Sequence, residues 1–453
     1  MVFPATPPVA LILNILVSTL PVIAIAAITL RFFGPLAAIL AGPWYTSLPM
    51  VIWSGQYFLL DQPVTAALLA ASAAWVYFSK KPNALRALLV AALAGFAVLI
   101  KGNGWLIALF PLLHIAFTGQ WKLLANKYTY LGLAAALLLV TPWYVVTTGI
   151  SADGFNFKPG LAYAWSALQA NPVFALEAVG PVAILLALAG VWWSWSTRRD
   201  YSARWEAAAS CLALIAATLL FQMIVPADLA NRYVAPTLPA LIVLAVFGLA
   251  ACYAWMSSFS SNTARRGVLA VLIAGAAYPS LLYLAEPHAK PNLKLDIAAE
   301  EVVKDGSPEV WIIDGSTSAE GATIAEIAIR DPGKHIYVVR SSEFLAESDF
   351  MGRRYALKYS DPAAVLQAVK NLNAAGVILV TQPYQTGFEH SDQLRAGLGL
   401  PGSGFREIAE EPHVGDPGLT TIYRTLTPQT PNMRMLRQIN FPAKAATLGA
   451  TAE

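Results

Sequence analysis

The chain is 453 residues long, 57% hydrophobic and only 13% charged, with a mean hydropathy of +0.55 and a net charge of +3. A soluble globular chain carries about 25% charged residues, so a single all-soluble fold is excluded. Only six of the 27 acidic residues (Asp61, Asp153, Glu177, Asp200, Glu206 and Asp228) precede residue 285, which divides the chain into an apolar part, 1–284, and a soluble part beyond it.

Apolar segments run in chain order near 8–29, 34–58, 63–79, 86–100, 104–118, 128–146, 174–196, 207–225, 234–257 and 266–284. Most are long enough to cross about 30 Å of hydrocarbon, and the fourth and fifth are short. The expectation is a polytopic α-helical membrane protein of about 10 spans, with Pro and Gly at 35–63 breaking or kinking helices there. Charge orients it. With Arg31 on the cytoplasmic side, the alternate loops hold Lys80, Lys81, Arg86, Lys122, Lys127, Arg198, Arg199, Arg204, Arg265 and Arg266 as well, eleven basic residues inside against Lys101, Lys158 and Arg232 outside. This places the chain's start outside with no basic-flanked signal before it, which implies that a further span precedes Met1.

Residues 285–430 read as an extracytoplasmic α/β domain. "EVWIID" (309–314), "HIYVV" (335–339) and "GVILVT" (376–381) are short buried-strand runs, with helical runs "AEGATIAEIAI" and "PAAVLQAVKNLNAAG" between them. "FREIAEE" and "LTTIYRTL" form an expected antiparallel pair around "HVGDPG" (413–418). Residues 431–453, rich in Ala, Pro and Thr, are expected to be a disordered tail. No GxGxxG or Walker loop follows a strand, so nucleotide binding has no support. Nor does any basic, aromatic-interleaved run point to nucleic acid. Cys211 and Cys252 lie in apolar runs and make no disulfide framework or zinc spacing.

The residues with chemistry to offer are few. Asp61, in "WSGQYFLLDQPVTAALLAA" (53–71), falls at the outer interface between two spans. An Asp-x-Pro sequence starts a helix well, so Asp61 is expected to cap the following helix, and a cap at a cavity mouth can also serve a site. Lys101 lies in "VLIKGNGW", between glycines that would let a ligand approach the backbone, and Arg232 lies in "DLANRYVAPTLPAL" just before a span. Snorkelling explains an interfacial cation equally well. Yet a charge at the membrane is a functional flag, and Lys101 with Arg232 suits a lipid phosphate. Asp153 and Lys158, on the loop between spans, are candidate substrate-loop residues. The histidines form no metal spacing; a divalent ion assisting phosphate binding stays open as a cofactor.

"RFFGPLAAILAGPWYTSLPMVIWSGQYFLLDQPVTAALLAASAAWVY", "ALLVAALAGFAVLIKGNGWLIALFPLL", "TPWYVV" and "NRYVAPTLPALIVLAVFGL" follow in this order, and over residues 1–257 the chain resembles the lipid-phosphate-sugar glycosyltransferases of the GT-C fold, a group that includes protein O-mannosyltransferases and lipid A aminoarabinose transferases. The resemblance implies transfer of a sugar from a polyprenyl-phosphate carrier to a lipid, glycan or protein acceptor on the outer side of an inner membrane. It also implies a catalytic or orienting role for Asp61, and donor-phosphate contacts from Lys101, Arg232 and Tyr233. The family carries an acidic motif in the first outer loop that is thought to supply the catalytic base. "MVFPATPPVALILNIL" resembles the opening of the family's second span, so that loop and its span are expected upstream of Met1. Two alternatives remain: a non-catalytic paralogue that binds the carrier or a partner, and a polytopic transporter, which would favour charges near the bilayer midplane.

Overall fold

The computed structural model describes residues 7–56, 59–153, 157–256, 261–286, 291–347, 355–383, 388–427 and 430–440. Residues Ala10–Pro287 form one compact unit and the remainder of the chain a second.

The first unit is helical. Its helices are α1 (Pro7–Phe33), α2 (Pro35–Thr46), α3 (Pro49–Gln56), α4 (Asp61–Lys80), α5 (Ala84–Ile100), α6 (Phe110–Thr118), α7 (Lys127–Asp153), α8 (Leu161–Val179), α9 (Pro181–Ser196), α10 (Ser202–Ile224), α11 (Leu238–Met256) and α12 (Asn262–Ala285). Short 3-10 turns occupy Gly102–Ala108, Trp121–Ala125 and Asn231–Thr237. Among the described residues, five helical stretches are long and apolar enough to cross a membrane, and two bent pairs raise the number to seven. These are fewer than the ten apolar segments of the sequence, because several segments fold as short or broken helices. The 34–58 segment splits into α2 and α3, bent by 61°. The 174–196 segment splits at Gly180 (φ 82°) before Pro181, where α8 and α9 turn through 104°. A positive φ suits glycine, and the proline fixes the first turn of the next helix.

The fully apolar helix α11 lies at the centre, with Leu238, Ile242, Val243, Leu244, Ala245 and Phe247 all buried. Its closest neighbour is α9. A Cβ on Gly190 would overlap the Leu244 carbonyl, and one on Gly248 would overlap the Leu186 carbonyl. Two glycines thus bring these backbones together, the usual way for helices to pack where no hydrophobic driving force separates side chain from lipid.

The second unit contains α13 (Leu295–Val303), β1 (Glu309–Asp314), α14 (Thr317–Arg330), β2 (Ile336–Arg340), α15 (Ser341–Phe344), β3 (Ala346–Glu347), β4 (Ala356–Leu357), α16 (Pro362–Asn371), β5 (Gly376–Thr381), α17 (Glu389–Leu398), β6 (Phe405–Pro412), β7 (Leu419–Thr425) and α18 (Met433–Asn440). The main sheet has the order β2-β1-β5-β7-β6. β1 pairs in parallel with β2 and β5, while β7 runs antiparallel to β5 and β6. Every residue of β1 is buried, as expected of a strand covered on both faces. Val310 and Ile312 pack with Val365 and Leu394 of α16 and α17; Trp311 and Ile313 pack with Ala299 and Ile327 of α13 and α14. The expected tail is in part a helix: α18 buries Leu436 and sets Met435 and Ile439 against the same cluster as Val365. Residues 441–453 lie outside the described residues.

Candidate active site

Asp61 is the first residue of α4, and Lys101 follows the last residue of α5. The two helices form an antiparallel hairpin, so residues forty positions apart share one end of the unit. There Lys101 Nζ donates to Asp61 Oδ1 at 2.6 Å, with the Asp61 side chain 3% exposed and that of Lys101 20% exposed. Asp61 is therefore not the expected helix cap. The N-cap position belongs to Leu60, which offers no side-chain acceptor, and the carboxylate of Asp61 reaches across to Lys101 instead. Ion pairing with a cation outweighs a local cap because removing a carboxylate from water requires a partner.

The approach of Lys101 depends on the turn that follows. Gly102 faces open space, but a Cβ on Gly104 would overlap the backbone of Ala97 and Val98. Gly104 is thus a close-packing glycine, which folds the Gly102–Ala108 turn back under the end of α5, rather than a point of ligand approach. Asn103, between them, is buried.

The Asn231–Thr237 turn packs on α4, α8 and α10 and brings Tyr233 to the pair. Lys101 Nζ stands 5.1 Å from the centroid of the Tyr233 ring, and Arg232 Cζ stands 5.2 Å from it. Arg232 Nη2 donates to the Tyr233 hydroxyl at 3.5 Å, while its buried Nε has no partner. Two cations therefore flank one aromatic ring beside one carboxylate, an arrangement that holds a lone guanidinium donor ready for an anion. Four of the residues singled out from the sequence, Asp61, Lys101, Arg232 and Tyr233, come together here.

The proposed substrate loop is only partly described. α7 runs through Asp153, whose side chain lies outside the described residues, and Lys158 is exposed between α7 and α8. Next to Lys158, the Phe157 N–H donates to the Pro226 carbonyl at 3.2 Å, and Tyr163 donates to the Asp228 carbonyl at 3.3 Å. The segment before α8 is thereby tied to the one that leads into the Arg232 turn. Sequence reasoning missed Gln62 and Tyr45. Gln62 accepts from the Tyr45 hydroxyl at 3.0 Å and donates to Ser54 Oγ at 2.8 Å, all buried. That network pins the start of α4 to α2 and α3 and so fixes Asp61; its signal was a second polar side chain beside the aspartate in an apolar run. Two clefts of ≈ 410 Å³ and ≈ 250 Å³ lie elsewhere in the unit and are not lined by Asp61, Lys101 or Arg232. Among the described residues no three His, Cys, Asp or Glu side chains cluster as metal ligands.

The fold is the GT-C fold that the motifs suggested, with the apolar helices of a multi-pass membrane protein. The sequence model of the dolichyl-phosphate-mannose-protein mannosyltransferase family matches residues 2–145. Two solved structures of ArnT from Cupriavidus metallidurans are similar to the chain. The one bound to undecaprenyl phosphate has a TM-score of 0.52 at 15% identity, covering 93% of this chain and 85% of that one. The apo form has a TM-score of 0.52 at 16% identity, covering 93% and 84%. Comparison with curated proteins finds no match.

Proposed function

We propose that the protein is an inner-membrane glycosyltransferase that passes a sugar from a polyprenyl-phosphate carrier to a lipid, glycan or protein acceptor on the outer face, with the 285–430 domain on that same face. The observation that carries this reading is the buried Asp61–Lys101 pair beside Tyr233 and Arg232, set in a GT-C fold and at the end of α4 opposite the basic-rich loops.

The chemistry follows from the charges. A sugar leaves its carrier as a phosphate anion, so cations aimed at that phosphate stabilise the transition state. Arg232 brings an unpartnered Nε and Lys101 brings a point charge. A phosphate arriving at Lys101 competes with Asp61 for the ammonium and releases the carboxylate, which then orients the acceptor or takes its proton. The reading assigns no metal ligands. Lys101→Ala and Arg232→Ala should each weaken binding of polyprenyl phosphate to the purified protein roughly tenfold to a hundredfold, the worth of one charge-assisted contact. Unchanged affinity in both variants would reduce these cations to snorkelling side chains. A carrier-binding protein without transfer activity is the second reading, favoured by one observation: Asp61 is already engaged by Lys101. Binding of the carrier without release of its sugar, in the presence of candidate acceptors, would select it.

A further inference from the structure

At the other end of the helical unit lies a cation that the proposed reaction does not use. Arg204, in the first turn of α10, is 8% exposed. Its guanidinium is clamped between two aromatic faces, with Cζ 3.8 Å from the centroid of Trp193 and 4.2 Å from that of Tyr201. Nη1 is buried and has no hydrogen-bond partner. Among the described residues no carboxylate lies within ion-pair distance of it; the neighbouring acid Glu206 is taken by Lys80 at 3.3 Å. A buried guanidinium with a free donor and no counter-ion is costly in a membrane protein and marks a missing anion. The helix end adds to this: Tyr201 at the N-cap of α10 provides no side-chain acceptor, and although its carbonyl takes the Arg204 N–H at 3.1 Å, the Ser202 and Ala203 N–H groups have no partner among the described residues.

Two clefts meet there. One, of ≈ 710 Å³, is lined by Arg204, Ser202, Asp200, Tyr201 and Trp193; Asp200 is its single acid and is exposed. The other, of ≈ 410 Å³, shares Phe32 and Ala203 with the first. It has mostly apolar walls from α1, α4, α10 and α11, and its charged lining is Arg31 with the Lys80–Glu206 pair. Along α4 it extends from Leu69 to Lys80, which is about 16 Å at 1.5 Å per residue. That is about half the ~30 Å hydrocarbon thickness, the depth of a single leaflet.

We infer that this paired cleft binds one anionic phospholipid, its phosphate on Arg204 and the N-terminus of α10 and an acyl chain in the groove between α1, α4, α10 and α11. Charge selects an anionic headgroup: Arg204, Arg31 and Lys80 stand against Glu206 and Asp200. Depth selects a leaflet phospholipid. The site lies at the Lys80 end of α4, and the Asp61–Lys101 pair lies at its Asp61 end, so the two lipid sites are separate.

The test is native mass spectrometry of the full chain in detergent, titrated with phosphatidylglycerol and with phosphatidylcholine. Wild type should retain one phosphatidylglycerol in preference to phosphatidylcholine. Arg204→Gln should weaken this at least ~tenfold, the loss of one charge-assisted contact. Ala207→Phe, which fills the groove and leaves Arg204 in place, should weaken it as much and keeps the test open if Arg204→Gln does not fold. Lys101→Ala should bind phosphatidylglycerol like wild type, which separates failure here from failure of the proposed transferase site. Equal retention of the two lipids, or wild-type retention by both Arg204→Gln and Ala207→Phe, would overturn the inference. So would displacement by inorganic phosphate, which would make the site a simple anion site, or by polyprenyl phosphate, which would give the groove to the carrier.

Discussion

Asp61 shows how far a single residue could be read. Its isolation in an apolar run flagged it, and with Lys101 and Arg232 it was legible as one end of the molecule from charge scarcity, while Tyr233 came only from the family resemblance. Its partner was not legible, because Asp-x-Pro is also a good helix start and forty residues separate it from Lys101. The partner changes what a substitution does. Asn caps a helix about as well as Asp, so a capping Asp61 would tolerate Asn; paired with Lys101, it should not. Asp61→Asn should lower the thermal midpoint of the purified protein, because a mostly buried ammonium loses its counter-ion, a change that costs up to about 3–5 kcal/mol in fully buried pairs. Asp61→Asn with Lys101→Met should recover much of that midpoint without restoring carrier binding, and an unshifted midpoint in the single variant would contradict the pairing. Two histidines of the second unit give a pH dependence. His390 is buried, its Nδ1 2.9 Å from the Tyr355 hydroxyl and its Nε2 3.7 Å from Asp314. His413 is buried, its Nε2 3.0 Å from Thr420 Oγ1 and its Nδ1 3.8 Å from Asp416. Burial lowers both imidazole pKa values, and the nearby aspartates only partly offset it. The unfolded chain therefore takes up protons first as pH falls through roughly 6.5, and stability is lost on acidification below that value. Burial raises the Glu320 carboxyl instead, which opposes the loss only in the lower range where that acid titrates. The melting temperature of this unit should fall between pH 7.5 and 5.5, less steeply in His390→Asn and His413→Gln, whose amides keep the Tyr355 and Thr420 contacts; a flat profile in wild type would refute this.

At the scale of elements, type was legible and geometry was not. The strand runs 309–314 and 376–381 are strands with those bounds, and the antiparallel pair around "HVGDPG" closes the sheet. Alternation and turn residues carry that information locally. The bend between α8 and α9 was hidden because hydropathy averages across "VGP", although Gly-Pro is itself a breaker signal. α18 was hidden because low-complexity composition after 440 dominates a tail whose first part, "MRMLRQI", places Met435, Leu436 and Ile439 on one helical face. The contact of α9 with α11 also went unread, since a glycine in an apolar run looks like any small residue. It predicts a sharp sensitivity. Gly248→Ala sets a methyl against the Leu186 carbonyl, and overpacking of this kind typically costs about 1–3 kcal/mol. The variant should melt lower in detergent, while Gly267→Ala on α12, where a Cβ meets nothing within 4 Å, should not. Equal melting of the two would remove the case for backbone contact at this crossing.

For the whole molecule, orientation rests on charge, and the fold supplies a reason to take that charge seriously. α4 rises from Asp61 to Lys80 and α5 returns to Lys101, and the 2.6 Å ion pair closes this hairpin at one end. Lys80 and Lys81, with Arg86 at the start of α5, mark the other end, where Arg31, Arg198, Arg199 and Arg204 also occur in loops or terminal turns. Seven of the eleven basic residues counted inside thus share the end of the α4–α5 hairpin opposite Asp61 and Lys101. Under the positive-inside rule the proposed function expects the Asp61 end on the outer face. The chain reaches the second unit by way of α12, whose Arg265 and Arg266 lie at its start and not at its end, so that unit is expected outside too. An alkaline phosphatase fused after residue 440 should be active, and one fused after Pro82, between α4 and α5, should be silent. A reporter active only in cytoplasm should give the opposite pattern. If the Pro82 fusion is the active phosphatase, the Asp61–Lys101 pair faces the cytoplasm. A sugar carried to the outer face could then not be its substrate, and the pair would have to be reassigned to carrier binding on the inner leaflet or to a structural role.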